Sequence, residues 1–78
     1  MHSLQTWLTT AVGILERLGR NVRRLRESNG WSQERYAFEA DIHRTYISEI
    51  ERAKRNPTAT MIEKLAKPLG VAPGRLLD

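Results

Sequence analysis

Cysteine is absent from this 78-residue chain, so neither a disulfide nor a thiolate zinc site can brace it and packing alone must hold the fold. No stretch approaches the roughly 20 apolar residues of a membrane span. A secretory leader is equally unexpected: the start of the chain lacks a basic segment, and its apolar residues are interrupted by Gln5, Thr6, Thr9 and Thr10. The default expectation is a cytoplasmic protein. There is no repeat, no low-complexity tract and no sign of a second domain. Histidine is scarce too. His2 and His43 are the only two, far apart and without a carboxylate cluster at ligand spacing, so no metal site is expected. Nor is there a phosphate-cradling glycine loop, a nucleophile elbow or an isolated carboxylate pair; the chain offers no catalytic residue and implies no cofactor.

A domain this small buries only roughly 60% of the surface its unfolded chain exposes, which favours a binding surface over a deep active site. The 13 Lys and Arg outnumber the 9 Asp and Glu, for a net charge of +4. That balance suits a polyanionic partner, but a basic surface also serves solubility, so placement must decide.

Apolar residues recur at helical spacing from the first turn. Leu4, Leu8, Ala11, Leu15, Leu18, Val22 and Leu25 keep one stripe on one helix face. Gly13 and Gly19 each weaken a helix by about 1 kcal/mol relative to Ala, leaving either one long helix or two that part near Gly13. Gly30 can adopt the left-handed conformation that closes it. Ser32 is a good N-cap for a short second helix ending at Ala40, with Tyr36, Ala37 and Ala40 turned inward. Asp41 stands at the turn, which it tolerates better than most residues. A third helix over 44–52 buries Ile47 and Ile50 and turns Arg44, Thr45, Ser48 and Glu49 outward. Asn56 and Pro57 interrupt the chain, and Thr58 caps a fourth helix carrying Met61, Ile62, Leu65, Ala66 and Leu69. Pro68 should kink or end that helix because it has no amide to bond Lys64. A final helical turn opens at Pro73, offering Leu76 and Leu77 to the core or to a partner.

Two short helices joined by a tight turn, the second with a polar outer face, form the unit that places a recognition helix in the major groove. The residues go further. Trp31-Ser32-Gln33-Glu34, the run from Arg44 through Thr45, Tyr46, Ile47, Ser48, Glu49, Ile50 and Glu51 to Arg52, then Asn56-Pro57-Thr58 and Glu63-Lys64-Leu65-Ala66, resemble the XRE family of lambda-repressor-like regulators. Within it, the run that His43 opens is similar to that of restriction-modification controller proteins. The resemblance implies an all-α, five-helix DNA-binding domain over 15–78; residues 1–14 lie outside it and, because their apolar residues extend the first stripe, are expected to form an N-terminal helical extension. It also implies a transcription regulator that binds double-stranded DNA as a homodimer on a palindromic operator.

By the same resemblance, Arg44, Thr45 and Ser48 reach base edges. The chemistry agrees: Arg44 can donate two hydrogen bonds to guanine, and Thr45 can pair a hydroxyl bond with a methyl contact to thymine, although Arg44 could instead clamp a phosphate. Gln33 is expected to hold a phosphate and brace the recognition helix. His43 is expected to cap that helix or touch a phosphate. Tyr46 either bonds a phosphate through its hydroxyl or packs its ring under the second helix. Lys54, Arg55 and Asn56 follow the recognition helix where a basic loop can grip the backbone, or else form a solvated charge run. Arg26 and Glu51 match a structural salt bridge of the family. Asp41 and Pro68 depart from the family, which commonly has Gly at the first position and a regular fourth helix at the second. The apolar residues of 1–14, among them Trp7, need cover, from the chain's own domain, from a second copy, or from a protein partner of the kind a DNA-binding antitoxin has. A pure protein-interaction module is the remaining alternative.

Overall fold

In the computed structural model, the backbone is described for residues 4–78 and the side chains for residues 13–78; the expectations placed on the side chains of Leu4, Trp7, Leu8 and Ala11, and on His2, lie outside the described residues. Four α-helices follow one another: α1 (Leu4–Ser28), α2 (Gln33–Ala40), α3 (Arg44–Glu51) and α4 (Ala59–Ala66). Two 3-10 turns, Lys67–Leu69 and Pro73–Leu77, complete the chain. No strand occurs among the described residues. The expected fifth helix is thus a 3-10 turn: Pro73 starts it well, but it spans five residues, too few to establish a regular α ladder. Helix α1 is a single helix that passes Gly13 and the expected boundary at 14/15 without a break.

The caps explain the boundaries. Gly30, with φ of 72°, turns the chain out of α1 while the Trp31 amide donates back to the Arg26 carbonyl at 3.2 Å. The Ser32 hydroxyl accepts from the Arg35 amide at 3.0 Å, and Thr58 accepts from the Met61 amide at 3.2 Å, each satisfying an orphan donor of a first turn. Asp41 closes α2 in the left-handed conformation, φ 55°, the conformation a Gly would take at that place. Pro68 does end a helix: α4 stops at Ala66 and the chain tightens into the first 3-10 turn.

The core forms where the stripes meet. Leu18 and Val22 of α1, Tyr36, Ala37 and Ala40 of α2, Ile47 and Ile50 of α3, Leu65 and Ala66 of α4, with Leu69 and Leu76, make one buried cluster. Met61 and Ile62 pack against it only partly buried. Tyr36 is fully buried, its ring stacked on Trp31 and its hydroxyl donating to the Leu65 carbonyl at 2.6 Å, which ties α2 to α4. The Asn21 amide donates to the carbonyls of Leu76 and Asp78 at 3.0 and 2.9 Å, fastening the last turn onto α1.

Gly19 has a reason that its helix propensity conceals. A Cβ there would stand 2.7 Å from the Ile50 carbonyl oxygen and 2.9 Å from that of Glu51, so α1 can approach the end of α3 only over a bare Cα. Gly19→Ala should therefore lower stability by about 1–3 kcal/mol in denaturant unfolding, the overpacking against backbone outweighing the helix propensity gained. Burial raises the pKa of the Tyr36 phenol well above its ordinary value of 10.0. Below pH 10 both states hold the proton; above it the unfolded chain releases it first, so stability should fall as pH rises through the alkaline range. Tyr36→Phe should flatten that alkaline limb in a pH series of thermal melts while costing about 1–2 kcal/mol at neutral pH for the orphaned carbonyl.

Candidate nucleic-acid interface

Helix α3 starts on His43, whose Nδ1 accepts from the Thr45 amide at 3.1 Å. The capping expected of His43 is realised in this geometry, and a ring held there also borders the outer face of the helix. Ile47 and Ile50 are buried, which turns the opposite side of α3 to solvent. Arg44 and Thr45 are exposed on it, and Ser48 and Glu49 are half-buried. Arg52, the C-cap, lies on the same side with its Nε donating to the Ser48 carbonyl at 3.3 Å. A polar helix face carrying a fork of donors, two hydroxyls and a carboxylate can present hydrogen-bond partners of both kinds to the edges of base pairs.

The far end of α3 is fixed by a desolvated ion pair. Arg26 Nε and Nη2 donate to the two carboxylate oxygens of Glu51 at 2.6 and 2.9 Å, and Nη1 donates to the Trp31 carbonyl at 2.7 Å. The two side chains are 10% and 4% exposed, so the pair is desolvated and its bidentate geometry matters. Hydrogen bonding to Glu51 keeps the Arg26 pKa above its ordinary value despite burial. Gln33 Nε2 also donates to Glu51, at 3.1 Å. Gln33 thus ties the start of α2 to the end of α3, and an amide nitrogen with a second hydrogen retains one donor for another acceptor.

After α3 the chain turns on Ala53, a non-glycine residue at φ 57°, and the Lys54 amide donates to the Glu49 carbonyl at 2.8 Å. The turn exposes Lys54, Arg55 and Asn56 beside the outer face of α3. Tyr46 is partly buried against the core, and the Arg55 guanidinium lies 4.6 Å from its ring centroid. Inward packing of the ring is one of the two arrangements expected of Tyr46, whereas the Arg55 contact follows from no spacing; burial also pushes its phenol pKa up. Two further contacts have no signature in the sequence. Arg44 Nε lies 3.6 Å from a Glu34 carboxylate oxygen across the turn, and Arg55 Nη2 bonds Glu49 at 3.1 Å. Both join residues of opposite charge on different segments, which spacing along the chain does not reveal.

Residues 22–76 match the family model described as Helix-turn-helix. The chain belongs to this family, in its XRE type of DNA-binding transcription regulators, and α2, the turn and α3 all lie within the matched residues. Its relatives narrow the class. The chain is 56% identical over 61 residues to control protein C.BamHI of Bacillus amyloliquefaciens, covering 77% of this chain and 75% of that protein. It is 44% identical over 64 residues to control protein C.SmaI of Serratia marcescens, covering 82% and 76%. Among solved structures, the restriction-modification controller protein C.AhdI of Aeromonas hydrophila superposes with a TM-score of 0.76 at 39% identity, over 80% of this chain and 94% of that one.

Glu51→Ala leaves Arg26 charged and buried without its partner, and should cost about 3–5 kcal/mol in chemical unfolding. Any loss of DNA binding by this variant should track the unfolded fraction measured by circular dichroism.

Proposed function

We propose that this chain is a transcription regulator of the restriction-modification controller type, binding a palindromic operator as a two-fold homodimer. The observation that carries the reading is the outer face of α3: Ile47 and Ile50 anchor the helix, and Arg44, Thr45 and Ser48 stand on the side that a major groove would meet. Arg44 supplies the bidentate fork that suits guanine, Thr45 a hydroxyl and a methyl group, and Ser48 a donor or acceptor one turn further along. Gln33, His43, Tyr46, Lys54, Arg55 and Asn56 border that face on both sides, and in this reading they hold the phosphates that set register.

A two-fold dimer sets two recognition helices about 34 Å apart, one turn of duplex, so a palindromic site follows from the symmetry of the protein. The extension at 1–14 is the proposed means of self-association or of recruiting a protein partner, since its apolar spacing continues the α1 stripe beyond the helix-turn-helix match. Bound over a promoter, such a dimer blocks polymerase; bound upstream, it can recruit it.

Selection of bound sequences from a random DNA pool tests the reading. The expected product is one motif with two inverted half-sites about 10 base pairs apart, and recovery of no enriched duplex at low salt would sink it. On the selected site, Arg44→Ala should cost about 1–3 kcal/mol in gel-shift titration and relax preference at one base pair; uniform weakening on all duplexes would make Arg44 a phosphate contact instead.

A further inference from the structure

Glu49 is the one carboxylate on the outward side of α3 between Ser48 and Arg52, where a phosphate backbone would repel it. It does not face solvent alone. Glu49 Oε1 accepts from Arg55 Nη2 at 3.1 Å, with side chains 26% and 44% exposed, and the same guanidinium lies 4.6 Å from the Tyr46 ring centroid. Tyr46 and Glu49 are three apart, neighbours on the helix surface, so together they offer a ring face and a carboxylate to one cation. The chain is shaped to deliver it. Ala53 takes a left-handed backbone that residues other than glycine rarely adopt, and the Lys54 amide closes the turn on the Glu49 carbonyl at 2.8 Å. Among the described residues, Arg55 makes no other side-chain hydrogen bond, so most of its five donors remain free.

We propose that Glu49 is a positioning residue for DNA binding: it draws Arg55 from the loop after α3 onto the Tyr46 ring, turning a mobile loop cation into a fixed donor at the rim of the recognition surface. This rests on the regulatory reading above and adds a role for a residue that neither charge nor helix position recommends. The carboxylate repels DNA by itself and favours it through Arg55. Its two effects therefore have opposite sign, and which one is seen depends on whether Arg55 is present.

A double-mutant cycle on the selected operator reads this sign, using gel-shift titration of the full chain at a temperature where circular dichroism shows all four proteins folded. Glu49→Gln in the wild-type background should weaken binding about 3- to 10-fold, because ordering of Arg55 is lost while the charge on the surface becomes more favourable. In the Arg55→Ala background the same substitution should leave affinity unchanged or strengthen it. In the free protein, Glu49→Gln should also increase the motion of the Arg55 Nε–H group in NMR relaxation. Tighter binding by Glu49→Gln alone would overturn the proposal, as would equal weakening in both backgrounds or unchanged Arg55 motion. If the wild-type chain binds no duplex, both this proposal and the regulatory reading fall; if it binds and the cycle is additive, only this one does.

Discussion

The carboxylate of Glu51 lies where three elements converge on the end of α3, and the placement of α3 depends on its being held there. Arg26 reaches it from α1 with two hydrogen bonds, Gln33 from the start of α2 with one, and the same guanidinium secures the Trp31 carbonyl in the connection between them. A desolvated pair of this kind contributes little net stability compared with apolar residues of the same shape, but it is intolerant of misplacement, because each partner left alone is a buried charge. What it adds is definition. The helix that carries Arg44, Thr45 and Ser48 is only eight residues long, too short to be stable by itself, and it borrows its orientation from α1 and α2.

Gly19 serves the same end by omission. The close approach of α1 to the carbonyls of Ile50 and Glu51 brings Arg26, seven residues further along α1 and on the same face, within reach of Glu51. A helix-weakening residue is thus retained where its lack of a side chain sets the helix crossing. At the other end His43 caps α3 with a ring nitrogen, so both termini of α3 are held by side chains rather than by water. Between these anchors the exposed Arg44 and Thr45 can vary in chemistry without disturbing the core, since Ile47 and Ile50, with Tyr46 partly buried beside them, hold α3 inward.

The charge pattern on that face is more organised than a basic surface would suggest. Glu34 stands against Arg44, and Glu49 against Arg55, so two of the cations proposed to meet DNA have a carboxylate neighbour in the free protein. Exposed pairs like these add little to stability, yet they restrict where long side chains point. A net charge of +4 attracts a polyanion from a distance; the local pairs govern the arrangement it meets.

Helical spacing determined most of what sequence alone could determine: α2 and α3 with their buried Tyr36, Ala37, Ile47 and Ile50, the Ser32 and Thr58 caps, the end of α4 before Pro68, and the outward placement of Arg44 and Thr45. These are local matters, set by the 3.6-residue period and by hydrogen bonds within one turn, so neighbouring residues suffice to read them. Arg26 with Glu51 was legible too, but only by resemblance, because nothing in the spacing of 25 residues implies a bond. The tertiary structure decided the rest. That α1 stays whole past Gly13, that Gly19 is a contact point, that Asn21 holds the last turn, that the final segment is a 3-10 turn rather than a fifth helix, and that Arg55 rests on Tyr46 and Glu49 all depend on which segments meet in space. Contacts between residues distant in sequence arise from the packing of whole helices, and a pattern read one turn at a time carries no record of them.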